Sequence, residues 1–152
     1  HRVIATVAGP PDMPAGVDRL AGWRAVLSAA GRRTDLVEHG DFTPEGGAAA
    51  MGRLLERRPD LDGVFVASDL MATGALRVIH ESGRRVPDDV AVVGYDDSVL
   101  ARTAIPPLTT VRQPAEEMGR RMAELLIDQL RGSPRRAAAE ILPTELVVRA
   151  SA

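Results

Sequence analysis

Apolar residues along this chain fall into two alternating kinds of segment. Short continuous runs, Val3–Ala8, Leu36–Glu38, Gly63–Ala67 and Val90–Val93, are rich in β-branched side chains, which predicts strands buried in a parallel sheet. Between them apolar positions recur at helical spacing. Leu20, Trp23, Leu27 and Ala30 mark one face of a helix from about Asp18 to Ala30, stopped by Gly31, while Gly9–Gly16 before it, with three prolines, is predicted to be loop. Thr43 and Pro44 supply the cap and first turn of a second helix with Gly47, Met51, Leu54 and Leu55 inside. Ser68-Asp69 opens a third, whose Ala72, Ala75, Leu76 and Ile79 face inward and which ends at Gly83. This βαβαβαβ order predicts an α/β fold, a parallel sheet with helices on both faces and right-handed crossovers.

Beyond Val93 the pattern changes. Gly94 is predicted to end the fourth strand, which delivers Asp96 and Asp97 to its carboxyl end. Ser98–Leu108 has no helical period and holds Ile105-Pro106-Pro107, so an ordered loop is expected. Thr109–Val111 is a short strand. Gln113-Pro114 then opens the most amphipathic helix of the chain, with Ala115, Met118, Met122, Leu125 and Leu126 on one side and Glu116, Glu117, Arg120, Arg121, Glu124, Asp128 and Arg131 on the other. Gly132-Ser133-Pro134 ends it, and Leu146–Val148, after Ile141-Leu142, reads as a last strand before a frayed end. A stripe this apolar is expected to be covered by a swapped partner chain or by repacking, or else to be disordered.

Composition narrows the function. In 152 residues, 45% apolar and 26% charged, there is enough apolar material for one globular core without staples. The formal charge of −2 gives no global attraction to nucleic acid, and the arginine pairs at 32–33, 57–58, 84–85, 120–121 and 135–136 read as solvated helix ends. The absence of cysteine removes disulfides, thiolate metal sites and a cysteine nucleophile. No apolar run approaches bilayer length. The chain starts at His1 on the edge of a strand, without methionine or a signal-like segment, and is expected to be part of a longer polypeptide.

Catalytic patterns are missing. His1, His39 and His80 have no partner at ligand spacing, no serine lies in a Gly-x-Ser-x-Gly elbow, and a chain without lysine has no phosphate-binding Gly-Lys loop. No metal, no cofactor and no enzyme activity are therefore expected. What remains is a ring of groups at strand ends or in the loops after them, Asp12, Phe42, Ser68, Asp69, Asp96 and Gln113, with Arg19 one turn into its helix. An aromatic face can stack on a sugar while Arg, Asp and Gln bond its hydroxyls, and Asp96 with Asp97 could accept from a polyhydroxylated molecule. Plainer readings stand beside these: loop chemistry for Asp96-Asp97, a surface ion pair for Arg19, core packing for Phe42 and a simple helix cap for Ser68. Trp23 is assigned to the core.

Four blocks carry a family resemblance. They are Arg19-Leu20-Ala21-Gly22-Trp23, the run Val66 to Ala72, the run Val86 to Asp97, and Ile105-Pro106-Pro107-Leu108-Thr109-Thr110-Val111-Arg112-Gln113. In this order and spacing the chain resembles the effector-binding core of the LacI/GalR family of bacterial transcriptional regulators. The resemblance implies a type I periplasmic-binding-protein-like fold in which residues 1–112 and 141–150 form mainly the C-terminal subdomain. Residues 113–132 would be a crossover helix packing on a missing N-terminal subdomain, and the DNA-binding domain would be absent from this chain. It further implies a repressor-type regulator, cytoplasmic and homodimeric, with a sugar or sugar-like effector in the cleft between subdomains. Operator DNA would be bound only through the missing N-terminal domain. With one wall of the cleft, this chain alone is expected to bind effector weakly and operator not at all.

Position by position, Arg19 matches the family's ligand-binding arginine, Phe42 its stacking aromatic, Asp96 its effector-binding aspartate, and Gln113 a contact beside the crossover. The family's usual asparagine is Ser68 here, and the aromatic often found two residues beyond Gln113 is Ala115, changes that leave more room and fewer directional bonds. Dimer contacts are expected on the helix from Asp69 to Ser82 and the loop after Asp97. Two alternatives share this fold class: a periplasmic sugar-binding protein, and a flavodoxin-like enzyme that would need Asp96 with Asp97 as its acid–base pair. A phosphoacceptor receiver would need a lysine, and there is none.

Overall fold

The computed structural model describes residues 1–132 and 140–152. Six strands, β1 (Ile4–Ala8), β2 (Val37–His39), β3 (Gly63–Val66), β4 (Ala91–Asp96), β5 (Thr109–Arg112) and β6 (Glu145–Val147), form one sheet in the order β2-β1-β3-β4-β5-β6. The first five are parallel, as the alternating pattern predicts, and β6 runs antiparallel to β5 with Thr110 opposite Val147. The helices are α1 (Pro14–Ala29), α2 (Pro44–Arg57), α3 (Asp69–Glu81), α4 (Val99–Thr103) and α5 (Ala115–Leu130).

The main core lies between the sheet and α2 with α3, where Val7, Val66, Val90 and Val92 meet Met51, Leu54, Met71 and Ile79, all under 2% exposed. The two helices approach closely because Gly74 faces the Pro44 carbonyl; any Cβ there would collide with it. On the opposite face α1 covers only one side of the sheet, with Leu20, Trp23 and Leu27 against Ala8, Ile4 and Phe65. Helices thus lie on both faces, but β4 is not buried on both. Val93 and Tyr95, with Val111 and Leu146, line an open apolar groove of about 830 Å³ beside α1.

Several local expectations are corrected. Helix α1 starts at Pro14, inside the segment expected to be loop, because a proline at the first position suits a helix start. Strand β4 runs through Gly94 to Asp96. Here the glycine serves space, not termination: a Cβ would strike the Asp69 carboxylate and Leu108. The segment after Asp97 contains the short helix α4, whose Ala101 is buried. The stripe on α5 is bare rather than repacked, since α5 has no buried residue and Met122 is 63% and Leu126 58% exposed. The expected stop at Ser133-Pro134 and the pair Arg135-Arg136 lie outside the described residues.

The end of the chain is not frayed either. Ser151 is fully buried, its hydroxyl donates to the Val92 carbonyl (2.6 Å) and accepts from the Thr109 amide (2.8 Å), and its carbonyl accepts from the Val92 amide (2.7 Å). One hydroxyl thereby ties β4 to the start of β5. Ser151→Ala leaves a buried donor unpaired at a cost of about 2 kcal/mol. A thermal melt should show Tm lowered by roughly 4–8 °C for a chain of this size.

Candidate functional site

All the sequence-nominated residues follow the carboxyl ends of parallel strands or, for Arg19, lie on the helix that starts there, so the topology gathers them at one edge of the sheet. At its centre is Asp96. The Gln113 side-chain amide donates to its Oδ1 (2.6 Å), and the Arg19 guanidinium lies 3.5 Å from the same oxygen. Arg19 is fixed on three sides: it donates to the Ala67 carbonyl (2.5 Å), pairs with Asp96, and its guanidinium carbon lies 3.9 Å from the Tyr95 ring centroid. Its side chain is only 13% exposed, so Arg19 is no free surface ion pair.

Asp96 and Asp97 have opposite fates. The Asp96 side chain is one-third exposed and open to a ligand, whereas that of Asp97 is 4% exposed and held by Arg112 (2.7 Å) and Arg149 (2.5 Å). Burial pushes the Asp96 carboxyl above its ordinary value, and the nearby Asp69 charge adds to the rise. Arg19 and Gln113 oppose it without cancelling it. Burial also works against ionisation of Asp97, but the two arginines outweigh it and its carboxyl lies below the ordinary value. The idea that both carboxylates face a polyhydroxylated ligand is therefore corrected: only Asp96 is placed to do so, and an acid–base pair with Asp97 has no support in this geometry.

Asp69 also moves out of the set of presented groups. It is fully buried, its Oδ1 accepts from the Thr110 hydroxyl (2.6 Å) and its Oδ2 from the Ser98 amide (2.8 Å), so one oxygen holds β5 and the other the loop just after Asp96. Ser68 caps α3, its Oγ accepting from the Met71 amide (3.1 Å), and is 4% exposed. Phe42 has φ 65°, flanked by Asp41, whose carboxylate accepts from the amide and hydroxyl of Thr43 (2.9 and 2.6 Å). Its ring lies against Gly9 at the end of β1 and packs partly on the main core, so the core reading holds for one side of it. Asp12 is exposed in the loop after β1, and none of its contacts ties it to the Asp96 cluster. Trp23 is 9% exposed in the small core, as assigned. Sequence reasoning missed Tyr95, Thr110, Arg112 and Arg149. Only strand alternation could have brought Tyr95 to the Arg19 face, and nothing local marks the others. Three non-glycine residues with positive φ, Phe42, Asp96 and Asp97, cluster at this edge, the kind of concentrated backbone strain found at ligand sites.

The periplasmic binding protein-like domain family matches residues 1–152. The chain belongs to that family. Among curated proteins it is similar to the HTH-type transcriptional regulator CelR of Thermobifida fusca, 58% identical over 99% of this chain and 45% of that protein, and to the repressor CytR of Escherichia coli K12, 38% identical over the same shares. It superposes on the CelR–cellobiose complex with TM-score 0.97 at 58% identity, covering all of this chain and 47% of that one. The Lac repressor dimer bound to operator and an anti-inducer gives 0.93 at 34% identity, over 99% of this chain and 46% of that one. These matches identify it with the effector-binding core of LacI-type regulators, and it spans about half the length of the curated relatives it matches.

A buried carboxylate with a raised pKa binds protons more tightly folded than unfolded, so it favours folding below its unfolded pKa and loses that advantage as pH rises through the folded value. Asp96→Asn removes the charge. In unliganded protein its Tm should equal or exceed that of the parent at pH 7, and the difference should fall below zero or vanish near pH 3; a lower Tm at pH 7 would contradict the burial account.

Proposed function

We propose that this chain forms one wall of the effector cleft of a bacterial repressor-type transcription regulator. Residues 1–112 and 141–150 would make the C-terminal subdomain, and 113–132 would cross to a second subdomain. The observation that carries the reading is the Arg19–Asp96–Gln113 cluster at the carboxyl edge of a parallel sheet. It offers a rigid guanidinium fork, a partly open carboxylate and an amide, a set suited to neighbouring hydroxyls of a sugar, with Phe42 as a stacking face. Cellobiose, present in the CelR complex, is the first effector to test, because CelR is 58% identical to this chain. Effector bound across both walls would shift the balance between two subdomain orientations, and only its differential affinity for the two can change operator binding. Operator contact would come from another domain, in a cytoplasmic protein; no helix among the described residues is long and apolar enough to cross a membrane. Exposed Leu70, Val99, Leu100 and Ile105 on α3, α4 and the segment after them support a homodimer contact there. The regulator reading is preferred to a periplasmic sugar-binding protein because the relatives are transcriptional regulators.

In the complete regulator, cellobiose at a hundred times its Kd should stabilise the protein by about 2.7 kcal/mol, a clear rise in Tm. Arg19→Ala and Asp96→Ala should abolish that rise while leaving the unliganded protein folded. A rise that survives both substitutions would place the sugar elsewhere.

A further inference from the structure

Asp97 makes no contact a ligand could use, yet it is among the most constrained residues at this edge. Its backbone has φ 55°, its side chain is 4% exposed, and its two oxygens accept from Arg112 Nε and Arg149 Nη2. Arg112 also donates through Nη1 to Glu145 (2.9 Å), and Arg149 through Nη1 to the Leu108 carbonyl (2.8 Å). These residues occupy particular points of the chain. Arg112 is the last residue of β5, next to Gln113, where the chain leaves the sheet for α5. Glu145 begins β6, where it returns, and Arg149 lies two residues past that strand. Since α5 has no buried residue, its direction is set mainly at this exit and return, with the Arg121–Glu140 ion pair (2.8 Å) as a further tie to the returning segment.

We propose that Asp97 is a positioning residue that clamps the exit and return strands together, holds Gln113 against Asp96, and so couples ligand at that pair to the orientation of α5. Charge-assisted hydrogen bonds to two arginines from one shielded carboxylate are strong and directional enough for this. A ligand that draws on Asp96 or Gln113 pulls on residues adjacent to Asp97 and Arg112, so the load passes to both strands through one carboxylate. The coupling rests on the effector-cleft reading above; the clamp itself does not.

The test combines cellobiose calorimetry on the complete regulator with a ligand-free distance measurement. Asp97→Ala should weaken cellobiose binding about tenfold, Asp97→Asn less, because Asn keeps the shape and one acceptor, and the Asp97→Ala loss should nearly disappear in a Gln113→Ala background. An equal loss in both backgrounds, or none in either, overturns the coupling. This chain has no cysteine, so spin labels at Ser28→Cys on α1 and Gln129→Cys on α5 report the α5 direction cleanly. Asp97→Ala should broaden or shift that distance distribution, and an unchanged distribution overturns the clamp. Failure of the parent regulator to bind cellobiose would count against the effector reading, and the label distances would still decide the clamp.

Discussion

The carboxyl edge of this sheet depends on one buried charge. Asp69, at the start of α3, reaches across to β5 through the Thr110 hydroxyl and to the loop after β4 through the Ser98 amide. Both of its oxygens are used, as a fully buried carboxylate requires. One feature follows from it: β4 must carry glycine at 94, since any side chain there would occupy the carboxylate's space; beyond Tyr95 the chain turns through two residues with positive φ. Asp96, and with it the Arg19–Asp96–Gln113 cluster, lies two residues before the Ser98 amide that Asp69 holds.

From that arrangement two neighbouring aspartates acquire different chemistry. Asp96 is buried enough for its carboxyl to be pushed above the ordinary value and open enough to be reached, and Arg19 and Gln113 hold its position, as the proposed ligand role requires. Asp97 is locked between arginines and stays charged. The same local sequence, Asp-Asp after a strand, thus provides a partly open carboxylate, the proposed recognition group, and a structural anchor. The backbone conformation decides which is which.

Much of this was legible in the residues. Short runs rich in apolar residues marked four of the five parallel strands and Thr109–Val111 was read as the fifth, the Thr43-Pro44 and Ser68 caps were read correctly, and the order of elements implied helices on both faces. Edge residues could be nominated because parallel topology puts every strand's end on one side. Long-range partners were not legible. Ser151 bonds residues more than 40 positions away, and Asp69 looks like a simple helix-start carboxylate until Thr110 is placed beside it. Gly94 reads as a stop in sequence because a glycine demanded by a neighbour's side chain looks no different from one demanded by a turn. The bare groove beside α1 and the bare face of α5 had the opposite problem: periodicity says that an apolar face wants cover, not what covers it.

The central claim is that ligand recognition resides at the carboxyl edge around Asp96. A titration of isotope-labelled protein with cellobiose, followed by amide chemical shifts, tests it most directly. The account expects shifts concentrated at Ser68, Asp69, Asp96 and Gln113 and in the loops after β1 and β2. Shifts concentrated instead along the apolar groove, at Trp23, Phe65 and Val93, or at the opposite edge near Arg32 and Arg58, would contradict it.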